Sequence, residues 1–228
     1  MSEGVQKIYS DISNHYDTVN AILSFGTMGM WRRIAASWAV EGRGKCSILD
    51  VATGTGELAF EMLKAARVNA NDLDITASDF NSKMLHVARR KNRALGTDIK
   101  FELGDALRLK YKDRSFDLVT CGFGLKNLDD LGRFSSEVHR VLRKGGHFVF
   151  LDMARPDGKV ARKLIGAYWA LIGAVCRLRG KESYISILSS INEFDKPGFV
   201  KILRKSGFRD VRIEKLPFGP AFLVTGKK

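Results

Sequence analysis

The sequence predicts an α/β protein: a seven-stranded, mostly parallel sheet with helices on both faces and an antiparallel hairpin at its C-terminal end. Three observations carry this expectation. Short apolar runs alternate with helical patterns between residues 47 and 153, the rhythm of a parallel sheet covered on both faces. A pair of glycines, Gly54 and Gly56, joins the first run to the first of those helices. The last two apolar runs are separated only by Leu216 to Pro220, so the strands they form must pair antiparallel.

In chain order, strands are expected at 47–51 (SILDV), 74–78 (DITAS), 99–103, 116–121 (FDLVTC) and 147–153 (HFVFLDM). Helical patterns fill 57–66, 82–95 and 129–142, the last one ended by Gly145 and Gly146, since glycine commonly terminates a helix. A further helix at 197–206 leads into strands at 210–215 and 221–225. The whole chain, 1–228, reads as one domain with a helical cap at about 1–45 and a lid insertion at about 154–196. Long connections in a compact domain usually serve a site. Here both segments are expected to cover a ligand at the carboxyl ends of the strands, where open α/β sheets bind ligands.

Composition narrows the classes. Hydrophobic residues make up 45% and charged ones 28%, as in an ordinary globular protein, but the formal net charge is +13. That excess favours nucleic acid, an anionic membrane surface or an anionic substrate, unless it is simply a solvated helical face. Basic residues concentrate at Arg89 to Arg93 and from Arg155 to Lys181. Cys46, Cys121 and Cys176 lie far apart without a C-x-x-C pair, which argues against zinc and against a disulfide framework; no metal is expected. The N-terminus lacks the plan of a signal peptide, and the longest nearly apolar run, Leu164 to Cys176, is about half the length needed to span a bilayer. A cytoplasmic protein follows, or one peripheral at the inner face of a membrane.

The turn LDVATGTGELAF, Leu49 to Phe60, is where the chemistry is read. Gly54-Thr55-Gly56 leaves the backbone uncrowded for a nucleotide-like ligand, and the G-x-G-x-x-A spacing also fits a dinucleotide fingerprint. Three acids separate the possibilities. Asp50 precedes Gly54 by four residues, the D-x-x-x-G-x-G spacing of S-adenosylmethionine sites, where an acid serves the cationic methionine end and would repel a pyrophosphate. Asp79 ends the second strand, placed to accept from both ribose hydroxyls or to cap the following helix. Asp105 with Ala106 follows the third strand, where an acid meets the adenine, though Asp105 alone would equally be a turn residue. Together they point to S-adenosylmethionine, with S-adenosylhomocysteine as product, in a Rossmann-like class I methyltransferase fold.

The chain then resembles the ubiquinone/menaquinone biosynthesis C-methyltransferase family over nearly its whole length. Four stretches carry the likeness: Ile8 to Arg33, with Tyr16, Asp17, Asn20, Trp31 and Arg32; GFGLKNLDD, Gly122 to Asp130; EVHRVLRKGGHFVFLDMARP, Glu137 to Pro156; and YISILSSINEF, Tyr184 to Phe194. The resemblance implies cofactor contacts at Thr55, Asp79, Asp105 with Ala106, and Gly122. The sequence departs from the family pattern in four places. Glu57 stands for Asp, Gly122 for Ser, Lys126 for the signature Arg, and Gly145 for Pro. Lys keeps the charge of Arg but not its planar fork.

For catalysis the candidates are Lys126, Asn127 and Tyr16. A ring carbon becomes nucleophilic when a neighbouring hydroxyl loses its proton, so the expected acceptor is a polyprenylated quinol, most simply demethylmenaquinol. Lys126 is expected to stabilise the phenolate and Asn127 to orient a hydroxyl or water; otherwise Lys126 is exposed and Asn127 caps the next helix. Tyr16 and Asp17 are expected to close over the cofactor or assist proton removal, unless they belong to a helix surface. His15, His86, His139 and His147 offer less. Within the lid, VARKLIGAYWALIGAVCRLRGK, Val160 to Lys181, sets an apolar centre between cations. It fits a helix at a lipid interface, the wall of a channel for a polyprenyl tail, or a lid packed on the core or on a second subunit of a homo-oligomer. Two alternatives remain: methylation of another small or lipophilic acceptor, and a nucleic-acid-binding module, the latter without any basic-aromatic stripe to support it.

Overall fold

The computed structural model describes residues 10, 13, 16–24, 26–68, 72–156, 158–178 and 194–228. His15 and nearly all of the Tyr184 to Phe194 motif lie outside the described residues, as do the side chains of Tyr16 and Cys176. The seven strands are β1 (Cys46–Val51), β2 (Leu73–Asp79), β3 (Lys100–Leu103), β4 (Phe116–Gly122), β5 (Leu142–Met153), β6 (Arg209–Lys215) and β7 (Ala221–Lys227). They form one sheet in the order β3-β2-β1-β4-β5-β7-β6. The first five run parallel. β7 enters antiparallel beside β5 and carries β6 at the edge, also antiparallel. The sheet plan is the one expected.

Helices cover both faces. They are α1 (Tyr16–Leu23), α2 (Met28–Val40), α3 (Glu57–Val68), α4 (Ser82–Leu95), α5 (Leu131–Val141), α6 (Lys159–Leu178) and α7 (Lys196–Lys205). β1 is buried along nearly its whole length, as an internal parallel strand must be. Alternate residues face opposite cores: Ile48, Leu118, Val149 and Leu151 pack with Trp31, Leu58, Leu85 and Trp169. Leu49, Val119, Phe148 and Phe150 pack with Phe134, Val138 and Phe199. Cys46 and Cys121 are buried free thiols, and burial pushes the pKa of both upward. His139 packs edge-on against Phe208, and His147 lies 3.4 Å from Arg43.

Local signals explain the helix ends, with two corrections. The cap of α4 is Asn81, whose side chain accepts from the Lys83 and Met84 amides, so Asp79 is not a helix cap. Gly145 and Gly146 do not end α5. That helix stops at Val141 and passes directly into β5, while Gly145, at φ 76°, lies inside the strand. Between the pairs Phe116↔Leu142 and Leu118↔His147 the register shifts; the two glycines absorb a bulge. A side chain on Gly146 would approach the Asp117 carbonyl to 3.1 Å.

The N-terminal helices are tied down at both ends. Trp31 of α2 is fully buried, and its indole N–H donates to the Pro217 carbonyl at 2.8 Å, in the turn between β6 and β7. Asp17 of α1 accepts from the Thr55 hydroxyl at 3.0 Å and pairs with Lys91 of α4 at 2.6 Å, and Lys91 also binds Glu57 at 2.6 Å. α1 is thereby held over the glycine turn.

Candidate active site

After β1 the chain steps outward through β2 and β3, then returns to β4 on the other side of β1. Such a reversal leaves a crevice at the carboxyl ends of the two central strands. The glycine turn after β1 forms one wall and the loop after β4 the other. Two non-glycine residues lining this cleft, Ala52 and Phe123, have positive φ of 54° and 62°. Backbone strain of this kind collects at functional sites. Gly124 lets the two exits meet, because a Cβ there would come within 2.8 Å of the Ala52 Cβ and 2.9 Å of the Cys121 Sγ.

The turn itself is not a phosphate cradle. The Gly54 N–H donates to Asp79 Oδ2 at 2.7 Å, and the Gly56 N–H to the Thr53 carbonyl at 3.0 Å. A pyrophosphate site needs such amides aimed at the ligand, and here both are already used. Gly56, at φ 84°, has no room for a side chain: a Cβ would approach the rings of Phe60 and Phe101 to 2.9 Å.

Three carboxylates line the cleft, those of Asp50, Glu57 and Asp79, and two of them are buried. Asp50 is fully buried in mid-sheet and accepts from Thr53 Oγ1 at 2.5 Å and Thr120 Oγ1 at 2.6 Å. Asp79 accepts from the Gly54 and Asn81 amides at 2.7 and 2.8 Å. Burial raises the pKa of each to about 6; hydroxyl bonds to Asp50 and backbone amides to Asp79 work against the rise, and Asp79 adds to it at Asp50. Folding therefore favours the protonated form of each relative to the unfolded chain. The stability these groups contribute is full below the ordinary aspartate value of 3.8 and is lost as pH rises through about 6. A cationic ligand reverses that preference. Affinity for S-adenosylhomocysteine, whose amino group is cationic, is expected to rise between pH 5 and 7, with protons released on binding near pH 6. Calorimetry in two buffers of different ionisation enthalpy measures both effects.

Gly122, Phe123, Asn127 and, from α2, Arg32 also line the cleft. The Arg32 side chain is 11% exposed, 3.8 Å from Glu57 and 5.7 Å above the Phe123 ring. It is the Lys or Arg among the described residues that lines the cleft. In the sequence Arg32 stands only as one residue of the Ile8 to Arg33 stretch, and nothing local assigns it a role.

Lys126 is placed differently from expectation. It is not exposed, and it does not line the cleft. Its ammonium binds Asp152 Oδ1 at 3.0 Å and the Phe123 carbonyl at 2.7 Å, with the two side chains 3% and 0% exposed. The Lys126 amide also donates to Asp152 Oδ2, at 3.3 Å, and the Met153 amide to Oδ1, at 2.7 Å. A phenolate-facing cation at Lys126 does not fit this geometry, because its charge is consumed by a buried pair. Asp152, inside the FVFLDM strand, is not among the residues expected at the site; an acid at the end of an otherwise apolar strand is the signal that points to it. Asn127 does line the cleft and is not a helix cap, since Asp130 caps α5 by accepting from the Arg133 amide at 2.8 Å.

The remaining expected residues divide. Asp50, Gly54, Thr55, Asp79 and Gly122 converge on the cleft, and Gly56 shapes its turn. Asp105 is exposed, accepts from the Leu107 amide at 2.9 Å and does not line the cleft; Ala106 is buried in a core cluster. The turn reading of Asp105 is the one its contacts support. Among the described residues no cluster of His, Cys, Asp and Glu could hold a metal ion.

The cleft therefore fits S-adenosylmethionine. Carboxylates face a ligand that carries positive charge, and the glycine amides offer nothing to phosphate. Comparison with known proteins agrees. The model of the ubiE/COQ5 methyltransferase family matches residues 1–228. The demethylmenaquinone methyltransferase of Deinococcus radiodurans is 38% identical over 99% of this chain and 93% of its own. The protein of the same name from Thermus thermophilus is 36% identical over 97% and 100%. A SAM-dependent methyltransferase from Aquifex aeolicus shares the fold, with a TM-score of 0.64 at 15% identity over 92% of this chain and 97% of that one. By its sequence and by the site it builds, the chain belongs to the ubiE/COQ5 methyltransferase family and is an S-adenosylmethionine-dependent methyltransferase.

Proposed function

We propose that the protein C-methylates a polyprenylated quinol, most simply demethylmenaquinol to menaquinol. The observation that carries this reading is the mixed charge of one cleft, lined both by the buried Asp50 and Asp79 carboxylates and by the Arg32 guanidinium. The first suits a cationic methyl donor and the second an anionic acceptor. The relatives named demethylmenaquinone methyltransferase favour a naphthoquinol over a benzoquinol.

S-adenosylmethionine supplies an electrophilic methyl group when bound. Asp50 would hold its cationic methionine end and Asp79 its ribose hydroxyls, with Thr55, Gly54 and Gly122 fitting its body. At the acceptor, Arg32 stabilises the phenolate that makes the adjacent ring carbon nucleophilic, and the Asn127 amide orients that oxygen. Aligning the reacting groups adds several kcal/mol. Lys126 acts at one remove: paired with Asp152, it fixes the loop that carries Phe123 and Asn127. The N-terminal helices serve as a cap, α6 as part of a lid, and Tyr16 belongs to the helix over the turn.

The test is methyl transfer from labelled S-adenosylmethionine to demethylmenaquinol under reducing conditions, with the oxidised quinone as control. Ring methylation of the quinol alone is expected, because only the quinol has a hydroxyl to ionise. No transfer from a protein that binds S-adenosylhomocysteine would sink the acceptor assignment and leave the cofactor site standing.

A further inference from the structure

We propose that the outer face of α6 docks the protein on an anionic lipid bilayer beside the cleft. One edge of this helix is built into the protein, with Trp169 buried in the core and Ile165 and Ile172 packed against it. The other edge is not. Val160, Leu164 and Leu171 are 73%, 67% and 62% exposed. Their spacing of four and seven residues places them on one stripe, which runs for about 16 Å at the helical rise. Isolated exposed apolar side chains are ordinary; three aligned on one helix are a patch, and such patches mark interaction sites.

The neighbourhood extends the patch toward the site. The Tyr168 hydroxyl donates to the Ile22 carbonyl at 2.6 Å, which brings the end of α1 against α6, and Ile22 is itself 51% exposed. α1 is the helix whose Asp17 holds Thr55 in the glycine turn. The apolar stripe thus adjoins the segment that covers the cleft.

Charge identifies the occupant. α6 contains no acid, and Lys159, Arg162, Lys163 and Arg177 are exposed along it. A helix with an apolar stripe and cations beside it lies in the plane of a bilayer interface, the cations meeting anionic headgroups. A second copy of the chain is the poorer fit, since each brings a net charge of +13 and the same cationic rim. No helix among the described residues is long and apolar enough to cross a membrane, so the contact is peripheral. Docking does not depend on the acceptor. Delivery of a polyprenylated quinol from the bilayer into the cleft rests on the function proposed above.

The test is co-sedimentation of the full chain with vesicles of phosphatidylglycerol and phosphatidylcholine, against phosphatidylcholine alone. Binding to the anionic vesicles is expected, weakened about tenfold or more by Leu164→Ser with Leu171→Ser and also by Lys163→Glu. Both variants change exposed side chains, so methyl transfer to a tail-less, water-soluble demethylnaphthoquinol should be unchanged, while transfer to a long-tailed quinol embedded in anionic vesicles falls. Absence of vesicle binding by the unaltered protein overturns the proposal, as does binding that the serine variant leaves intact or that neutral vesicles match. A concentration-dependent dimer abolished by the same serines, without vesicle binding, would assign the face to a second copy instead. Failure of the tail-less quinol to react in the unaltered protein would count against the acceptor, and the vesicle result would stand separately.

Discussion

Replacing Asp152 by leucine is expected to cost about 3–5 kcal/mol of stability at neutral pH, because it strands a buried ammonium without its counter-charge. Lys126 and Asp152 are almost wholly removed from solvent, so water cannot substitute for the lost partner. The companion variant Lys126→Met with Asp152→Leu should recover most of that loss, since well-packed apolar pairs often replace buried ion pairs at little net cost. Chemical unfolding of the four proteins of this cycle measures the coupling directly. Additive losses would show that the pair is not the unit it appears in geometry to be. The recovered double variant should still turn over more slowly than the parent. It lacks the carboxylate that holds the Lys126 amide, and with it one constraint on the loop that presents Asn127.

Exchanging Arg32 for glutamine is expected to lower kcat about 10²- to 10³-fold, the usual loss when a donor to a developing oxyanion is removed. Affinity for S-adenosylhomocysteine, measured by calorimetry, should change little by comparison, because the Asp50 and Asp79 carboxylates are untouched. Arg32→Lys should recover part of the rate: the charge returns without the planar fork. A glutamine variant with full kcat and weakened cofactor binding would move Arg32 to the donor side of the cleft, through its proximity to Asp50 and Glu57.

Much of the sheet could be read because local chemistry and global topology agree. The SILDV and FVFLDM runs are apolar on both faces, as only internal strands are, and the short link from Lys215 to Ala221 leaves no alternative to an antiparallel pair. The glycine turn was equally legible, since Asp50 and Asp79 converge on it from adjacent strands. What could not be read was direction. Lys126 and Asn127 are neighbours in sequence, yet one side chain turns into the protein toward Asp152 while the other faces the cleft. Nothing local distinguishes them; the choice is made by an acid that arrives from β5. Arg32 was illegible as a site residue for the same reason, because α2 reaches the cleft only through tertiary packing. Gly145 and Gly146 misled in the opposite sense: glycine is permissive in a strand bulge as well as at a helix end, and the partner strand decides.

The origin of the cleft's cation has a consequence for how such enzymes can diverge. The groups suited to the methyl donor sit on β1, β2 and the turns that follow the sheet, so altering them disturbs the scaffold itself. Arg32 arrives on α2, upstream of the first strand and anchored elsewhere through Trp31. Mutation on α2 can therefore change the cleft's cation without altering the strands that hold the donor carboxylates, although α1 remains tied to the glycine turn through Asp17 and Thr55.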